Sequence, residues 1–322
     1  MTTATETLQP VYRFFRTTLA RSERLSPSFL RVTFTGPDLD GFGLGGADQR
    51  FKLLIAQPGR PFDELLAITG PDWYPAWCAM PDEARPHMRT YTVRAFRPAA
   101  GPGAQAELDV DVVLHGIGAD GTPGEGAGPA AAWAAQAVPG DEMVFLGPDR
   151  PGTGRMWGVE WAPPVEADTI FLAGDETAVP AIAAIVEALP GDQRVVAVLE
   201  VPEAADFLQL QLPPGVDVRW LARGGRPRGE LMEAAVHSAL RELGIARDTP
   251  GADPEAAESA ADGDAMVWEV PEAGAHTSCY AWLAGEAAVV KQLRRRLVRD
   301  LGVPRDAVAF MGYWRVGARA LG

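Results

Sequence analysis

The chain has 322 residues, 47% of them hydrophobic and 22% charged, which is long for one hydrophobic core and ordinary for two globular domains. Its formal net charge of −14 excludes a nonspecific nucleic-acid binder, which needs basic patches to neutralise phosphates. Two cysteines, Cys78 and Cys279, are too few for a disulfide framework or a four-thiolate iron–sulfur cluster, and the four histidines lack the spacing of a zinc or iron site. Any redox centre is therefore expected to be organic, with no metal site. No apolar run approaches the ~20 residues that span a bilayer. Residues 1–10 lack the basic and apolar regions of a signal peptide, so a cytoplasmic location is expected.

Between residues 12 and 146, short β-rich runs are broken by Gly and Pro at 29–34, 50–55, 89–94, 108–114 and 142–146. Five or six such strands predict a small antiparallel β-barrel. Run 108–114 sets Asp109 and Asp111 on one side and apolar residues on the other, the pattern of a half-buried strand. A Pro- and Gly-rich linker at 147–164 follows. Beyond it, strands at 169–173, 194–200, 217–222, 278–284 and 308–314 alternate with helices at 178–189, 230–243 and 286–301. That alternation predicts a parallel α/β sheet covered on both faces. The expected domains are a β-barrel over 10–150 and an α/β domain over 165–322, interrupted by an acidic, mobile insertion at 245–274 to which no chemistry is assigned.

In the first half, Arg89-Thr90-Tyr91-Thr92-Val93-Arg94 sets Arg89, Tyr91 and Val93 on one strand face and Thr90, Thr92 and Arg94 on the other. A cation and an aromatic shelf on one strand suit a flavin, a flat apolar ring with a charged pyrophosphate tail. The alternative is an ordinary edge strand with exposed arginines. His115-Gly116 closes a strand, and a Gly-rich loop then leads to Gly128-Pro129-Ala130-Ala131. A helix starting there would offer free amide N–H groups to a diphosphate. Trp133 is read as a core aromatic, and His115 as either a strand-end residue or a cofactor contact.

In the second half, a buried strand ends at Gly174, and Asp175-Glu176-Thr177 supplies a turn and a cap for a helix starting near Pro180. That geometry suits a pyrophosphate or nicotinamide at the carboxyl end of the first strand, although it departs from Gly-x-Gly-x-x-Gly. Arg223 ends another strand, where it would either receive a 2′-phosphate, pointing to NADPH, or another phosphate of the dinucleotide, or else face solvent. Gly285, before Glu286, permits a close ligand approach.

Four segments in order resemble the siderophore-interacting protein family of the ferredoxin-reductase-like superfamily. They are Arg89-x-Tyr91-Thr92-x-Arg94, His115-Gly116 with the Gly128-Pro129-Ala130 helix, Gly174-Asp175-Glu176-Thr177-Ala178-x-Pro180, and the closing Gly312-Tyr313-Trp314-Arg315-x-Gly317. The resemblance implies an N-terminal FAD domain followed by an NAD(P)H domain. It implies Arg89 on the flavin phosphate, Tyr91 against the flavin, and Thr92 as the catalytic residue near the ring's reactive nitrogen, with Thr90 and His115 completing the cofactor set. It places Gly174, Asp175, Glu176 and Thr177 at the nicotinamide, and Tyr313, Trp314 and Arg315 close to the flavin or the acceptor. The implied function is a cytoplasmic NADPH- or NADH-oxidising flavoprotein that reduces ferric siderophores to release ferrous iron. Anionic siderophores would be met by basic residues, with Lys52, Arg94, Lys291 and Arg315 as candidates. The alternatives are a generic NAD(P)H:flavin or quinone reductase, and a non-catalytic flavin- or siderophore-binding protein.

Overall fold

A computed structural model describes residues 12–68, 72–150, 158–245, 268–271 and 278–317. The chain divides into two compact units, with the break between Val159 and Glu160. The first unit contains β1 (Tyr12–Arg24), β2 (Phe29–Thr35), β3 (Arg50–Ile55), α1 (Asp63–Leu66), α2 (Trp73–Ala79), β4 (His87–Thr92), β5 (Ala95–Arg97), β6 (Glu107–Val113), α3 (Pro129–Gln136) and β7 (Glu142–Pro148). Its strands form one seven-stranded antiparallel sheet in the order β4-β3-β7-β1-β2-β6-β5.

The 13-residue β1 lies at the centre of this sheet, between β7 and β2, yet the sequence pattern does not announce it. Arginines interrupt its apolar residues, and its register with β2 shifts between Leu19 and Arg21. Phenylalanines fill the concave side: Phe34 meets Phe145 edge-on at 4.9 Å, and Phe51 meets Phe145 at 4.8 Å. Trp133 of α3 stacks on Phe34 at 5.8 Å, the core role expected of it. On the other side, Phe62, Leu65 and Trp77 from the α1–α2 segment cover Leu54, Met88, Val144 and Leu146.

The barrel is not laced shut, because β4 and β5 are its two edges. The chain itself bridges the seam: Val93 N donates to Gln49 O at 2.8 Å, and the next residue, Arg94, donates from its backbone N to Asp109 O at 2.9 Å.

β6 corrects the expectation of a half-buried strand, since Asp109 and Asp111 are both buried. Arginines on neighbouring strands make this possible. Arg31 grips Asp111 with two hydrogen bonds of 2.7 and 2.8 Å, while Arg97 and Thr33 hold Asp109. Burial pushes the Asp109 carboxyl up, but these partners outweigh it and hold the group below its ordinary value. At the more open end, hydrogen bonds from Arg21 and Arg97 lower Glu107 to about 2.

The second unit contains β8 (Thr169–Asp175), α4 (Val179–Glu187), β9 (Arg194–Val201), β10 (Val216–Ala222), α5 (Glu230–Glu242), β11 (Trp268–Glu269), β12 (Cys279–Glu286), α6 (Ala287–Arg295) and β13 (Val308–Trp314). Its sheet runs β10-β9-β8-β12-β13-β11; all neighbours are parallel except β11, which is antiparallel to β13. Strand order reverses between β8 and β12, which makes their carboxyl ends the topological switch point where open α/β sheets bind ligands. The helix expected over 286–301 is regular only to Arg295 and then widens into a π turn at Arg296–Asp300. Glu286 precedes it as a cap, accepting from Ala288 N and Val289 N. Of the insertion expected at 245–274, Trp268 and Glu269 form a strand of the sheet, while 246–267 and 272–274 lie outside the described residues.

Removing one partner of a buried ion pair strands the other. Asp111→Ala is therefore expected to lower stability by about 2–4 kcal/mol in urea unfolding. Asp82→Ala, which breaks the exposed Arg85 pair, should cost no more than about 1 kcal/mol.

Candidate functional site

In the first unit, the expected flavin residues lie on an edge strand and at a helix start. Tyr91 and Val93 join the same apolar cluster as Ala130 and Ala134 of α3, whereas Met88 joins the cluster on the opposite face. The alternation read from sequence thus turns Tyr91 toward the phenylalanine-lined core and Met88 to the opposite face. Desolvation pushes the Tyr91 hydroxyl up to about 12 against the opposing pull of Arg89, so the phenol stays neutral at physiological pH. The Arg89 guanidinium is half-buried and donates to Met88 O at 2.7 Å; burial lowers its proton affinity. Thr92 is buried at the end of β4, and Thr90 is exposed.

Past β6, His115 is half-buried and Gly116 has φ +69°. A Cβ on Gly116 would sit 2.3 Å from Gly126 C and 2.4 Å from Ala127 N, so only glycine allows the loop to double back here. The loop delivers Gly128 as the N-cap of α3 with Pro129 in the first turn, and no side chain caps the helix. Ala130 and Ala131 are buried without bulk that would screen the amides of that turn.

The cations expected at the acceptor fare differently. Lys52 donates to Thr90 Oγ1 at 2.8 Å, and desolvation followed by Arg50 lowers its proton affinity. Arg94 is largely buried and lies 3.5 Å from Asp111, which removes it from the acceptor candidates: its charge belongs to the β6 carboxylate layer. Lys291 is exposed on α6, and Arg315 is exposed just beyond β13.

In the second unit, Gly174 and Asp175 end β8 at the switch point. A Cβ on Gly174 would lie 2.4 Å from Ala178 Cβ and 2.8 Å from Ala284 O, which explains the glycine in this turn. Asp175 is buried and collects donors from three places. Thr177 N and Oγ1 reach Oδ1 at 2.9 and 2.5 Å, while Glu286 N and Trp314 Nε1 reach Oδ2 at 2.8 and 2.9 Å. Burial, then the neighbouring Glu176 charge, raises its carboxyl above the ordinary range. Asp175 and Thr177 do not cap α4 as expected, because Asp175 is turned into the sheet; the N-cap is Ala178, which has no side-chain acceptor. The close approach allowed by Gly285 is made by Asp175, whose carboxylate would be 2.8 Å from a Cβ there.

Glu176 is fully buried and receives Arg223 through two nitrogens at 3.1 and 3.2 Å, together with Arg228. Burial opposes the Glu176 charge, but these hydrogen bonds outweigh it and hold its carboxyl below the ordinary range. Arg223 is buried at 7% exposure and also lies 3.4 Å from Glu200. It therefore does not face solvent, which was one of the two expectations for this residue; Glu176 and Glu200 both draw on its guanidinium. Tyr313 stacks on Trp268 at 6.1 Å, and Trp314 lies under the Arg228 guanidinium at 4.8 Å. Glu200 and Arg228 were not singled out from sequence. An acidic residue closing the second parallel strand was the available signal for Glu200, whereas Arg228 is one of three arginines in a loop and carries no such mark.

Among the described residues, no group of three or more His, Cys, Asp or Glu is placed to hold a metal ion, and no helix is long and apolar enough to cross a membrane. An antiparallel sheet unit followed by a parallel sheet with its crevice at β8 and β12 defines the class: a ferredoxin-reductase-like fold. The ferredoxin reductase of carbazole 1,9a-dioxygenase shares it, with a TM-score of 0.56 at 13% identity over 94% of this chain and 70% of that one.

The particular family follows from the sequence matches. The siderophore-interacting FAD-binding domain matches residues 18–152, and the siderophore-interacting protein model matches residues 167–317. The chain belongs to the siderophore-interacting protein family. Its relatives include the ferric vibriobactin reductase ViuB of Vibrio cholerae, 28% identical over 92% of this chain and 88% of that protein. The NADPH-dependent ferric-chelate reductase of Escherichia coli K12 is 27% identical over 94% and 93%. The siderophore-interacting protein SipS of Aeromonas hydrophila superposes with a TM-score of 0.63 at 28% identity, covering 96% and 94% of the two chains.

Two measurements test this geometry. Gly285→Ala forces a side chain into the Asp175 carboxylate at φ +145°, and should cost about 1–3 kcal/mol in urea unfolding. Because the Tyr91 hydroxyl is raised from 10.0 to about 12, its contribution to stability is complete below pH 10 and is lost as pH rises through about 12. The stability difference between wild type and Tyr91→Phe should change only in that alkaline window.

Proposed function

We propose that this protein is a cytoplasmic, FAD-dependent NAD(P)H oxidoreductase that reduces ferric siderophores and so releases iron as the ferrous ion. The observation that carries this reading is the uncapped start of α3 in the same apolar cluster as the desolvated Tyr91 ring. Both lie in the segment that matches a FAD-binding domain. The residues present fit FAD chemically: two unscreened turn amides and a half-buried arginine for the diphosphate, a neutral aromatic for the ring, and a buried hydroxyl beside it. The relatives from Vibrio cholerae and Escherichia coli, a ferric vibriobactin reductase and a ferric-chelate reductase, support the acceptor class.

In this reading, the amides of Ala130 and Ala131 and the Arg89 guanidinium bind the diphosphate, with His115 and Gly128 alongside. Tyr91 would pack against the ring, and Thr92 would sit near its reactive nitrogen. Bound FAD supplies the conversion of a two-electron hydride into single electrons for iron. Gly174 and the Asp175-Glu176-Thr177 turn shape the donor crevice at the ends of β8 and β12, with Tyr313 and Trp314 closing the same strand ends. Lys52, Lys291 and Arg315 are the cations left to attract an anionic ferric complex; that complex is the substrate, and iron leaves it on reduction because the ferrous ion is held weakly.

The spectrum of purified, FAD-loaded protein tests the whole reading. NADPH or NADH added without oxygen should bleach the flavin band, and a ferric siderophore should restore it. Restoration by quinones or free FMN but not by the ferric complex would identify a generic reductase. A yellow protein that neither nucleotide bleaches would be a binding protein. Arg89→Ala removes a charge-assisted contact and should weaken FAD retention about 10–100-fold, read by equilibrium dialysis.

A further inference from the structure

Arg228 is a further cation at the switch point, beside Arg223. Asp175, Glu200, Arg228 and Glu286 edge a small cavity at the carboxyl ends of β8 and β12 whose other walls are largely apolar, with Met232 and Leu293 among them. Carboxylates outnumber guanidinium groups there, which would repel a phosphate if they faced it. They are turned inward. Asp175 accepts from Glu286 N and Trp314 Nε1. Glu200 Oε1 accepts from Gly229 N at 2.9 Å, and Glu286 accepts from Ala288 N, Val289 N and Val316 N. Glu176 has no exposed side-chain surface and is already met by Arg223 through two nitrogens.

Arg228 is different. Its side chain is 32% exposed, against 8% for Arg223. Glu176 and Glu200 are both buried and share Arg223, so Arg228 supplies the second positive charge of this cluster, and it is the one of the two guanidinium groups that reaches the surface. It is also held from two sides. Nη1 donates to Glu176, and the plane lies over the Trp314 ring, 4.8 Å from its centroid, while the indole N–H is fixed on Asp175. A fork that is half-exposed, oriented by two buried carboxylates and borders the crevice is built to receive a phosphate oxygen.

We propose that Arg228 is the phosphate-receiving cation of the donor crevice, binding the diphosphate of the nicotinamide dinucleotide, with Glu176 and Trp314 as its positioning residues. This rests on the reading that the donor occupies the ends of β8 and β12. The crevice is thereby assigned a diphosphate anchor that tolerates donors with or without a 2′-phosphate.

Calorimetric titration of the FAD-loaded protein with ADP-ribose, and separately with 2′,5′-ADP, tests it. Arg228→Gln should weaken ADP-ribose binding about 10–100-fold and raise KM for the nucleotide by a similar factor. Arg228→Lys, which keeps the charge and loses the fork, should fall between, and its binding keeps the test decisive if the glutamine variant does not fold. Trp314→Leu should weaken ADP-ribose less, about 3–10-fold. Arg226→Gln, an exposed neighbour paired with Glu230, is the control and should retain wild-type affinity. Wild-type affinity for ADP-ribose in folded Arg228→Gln and Arg228→Lys would overturn the proposal alone. So would a loss confined to 2′,5′-ADP, which would move Arg228 to the 2′-phosphate. A wild-type protein whose flavin neither nucleotide bleaches would instead overturn the underlying assignment of the donor.

Discussion

The second unit depends on a single desolvated carboxylate. Asp175 ends the strand beside which the sheet reverses its order, and it must be compensated because an unpaired buried charge is costly. Compensation comes from the turn that follows it, from the backbone at the end of β12 and from the indole at the end of β13. One side chain thereby fixes three strand ends against each other. The bend of β12 at Gly285 and the setting of Trp314 follow from it, and the setting of Arg228 follows from Trp314 and Glu176. The rim of the crevice is defined by this chain of contacts before any ligand arrives, the condition under which polar groups bind without reorganising.

The first unit reaches rigidity by another route. Its concave side is a phenylalanine core, and part of its polar surface is a lattice in which arginines from β1, β2 and β5 grip the carboxylates of β6. Planar, bidentate arginine pairs hold geometry that lysine would not, which suits a chain with only two lysines, Lys52 and Lys291. With the strands locked on that side, the open seam falls at β4, and the strand bearing Arg89 and Tyr91 is left at an edge with one neighbour. An edge strand can lend side chains to a bound molecule without breaking a ladder on both sides.

Much of this was legible in the sequence where pattern and chemistry agree locally. The alternation of strands and helices after residue 164, the strand-ending turn at Gly174, and the core role of Trp133 all follow from short-range rules. What was not legible depends on partners distant in the chain. Asp109 and Asp111 looked solvent-facing because their arginines lie on other strands, up to 80 residues away for Arg31. Arg223 offered a solvent-facing reading that burial overturns, since Glu176, 47 positions earlier, takes up its guanidinium. β1 was hidden by arginines whose ion pairs appear only after the sheet forms. Arg94 looked like a surface cation until β6 was placed beside it.

The two-residue strand β11 gives the acidic insertion a meaning of its own. β13 is buried from Val308 to Met311, and a strand of that character at the rim of a sheet would offer unpaired backbone groups to any other chain. Trp268 and Glu269 pair with Met311 and Phe310, and Glu269 is further pinned by Arg294 and Arg305. The described part of the expected insertion therefore covers a backbone edge that would otherwise stand unpaired at the rim of the sheet.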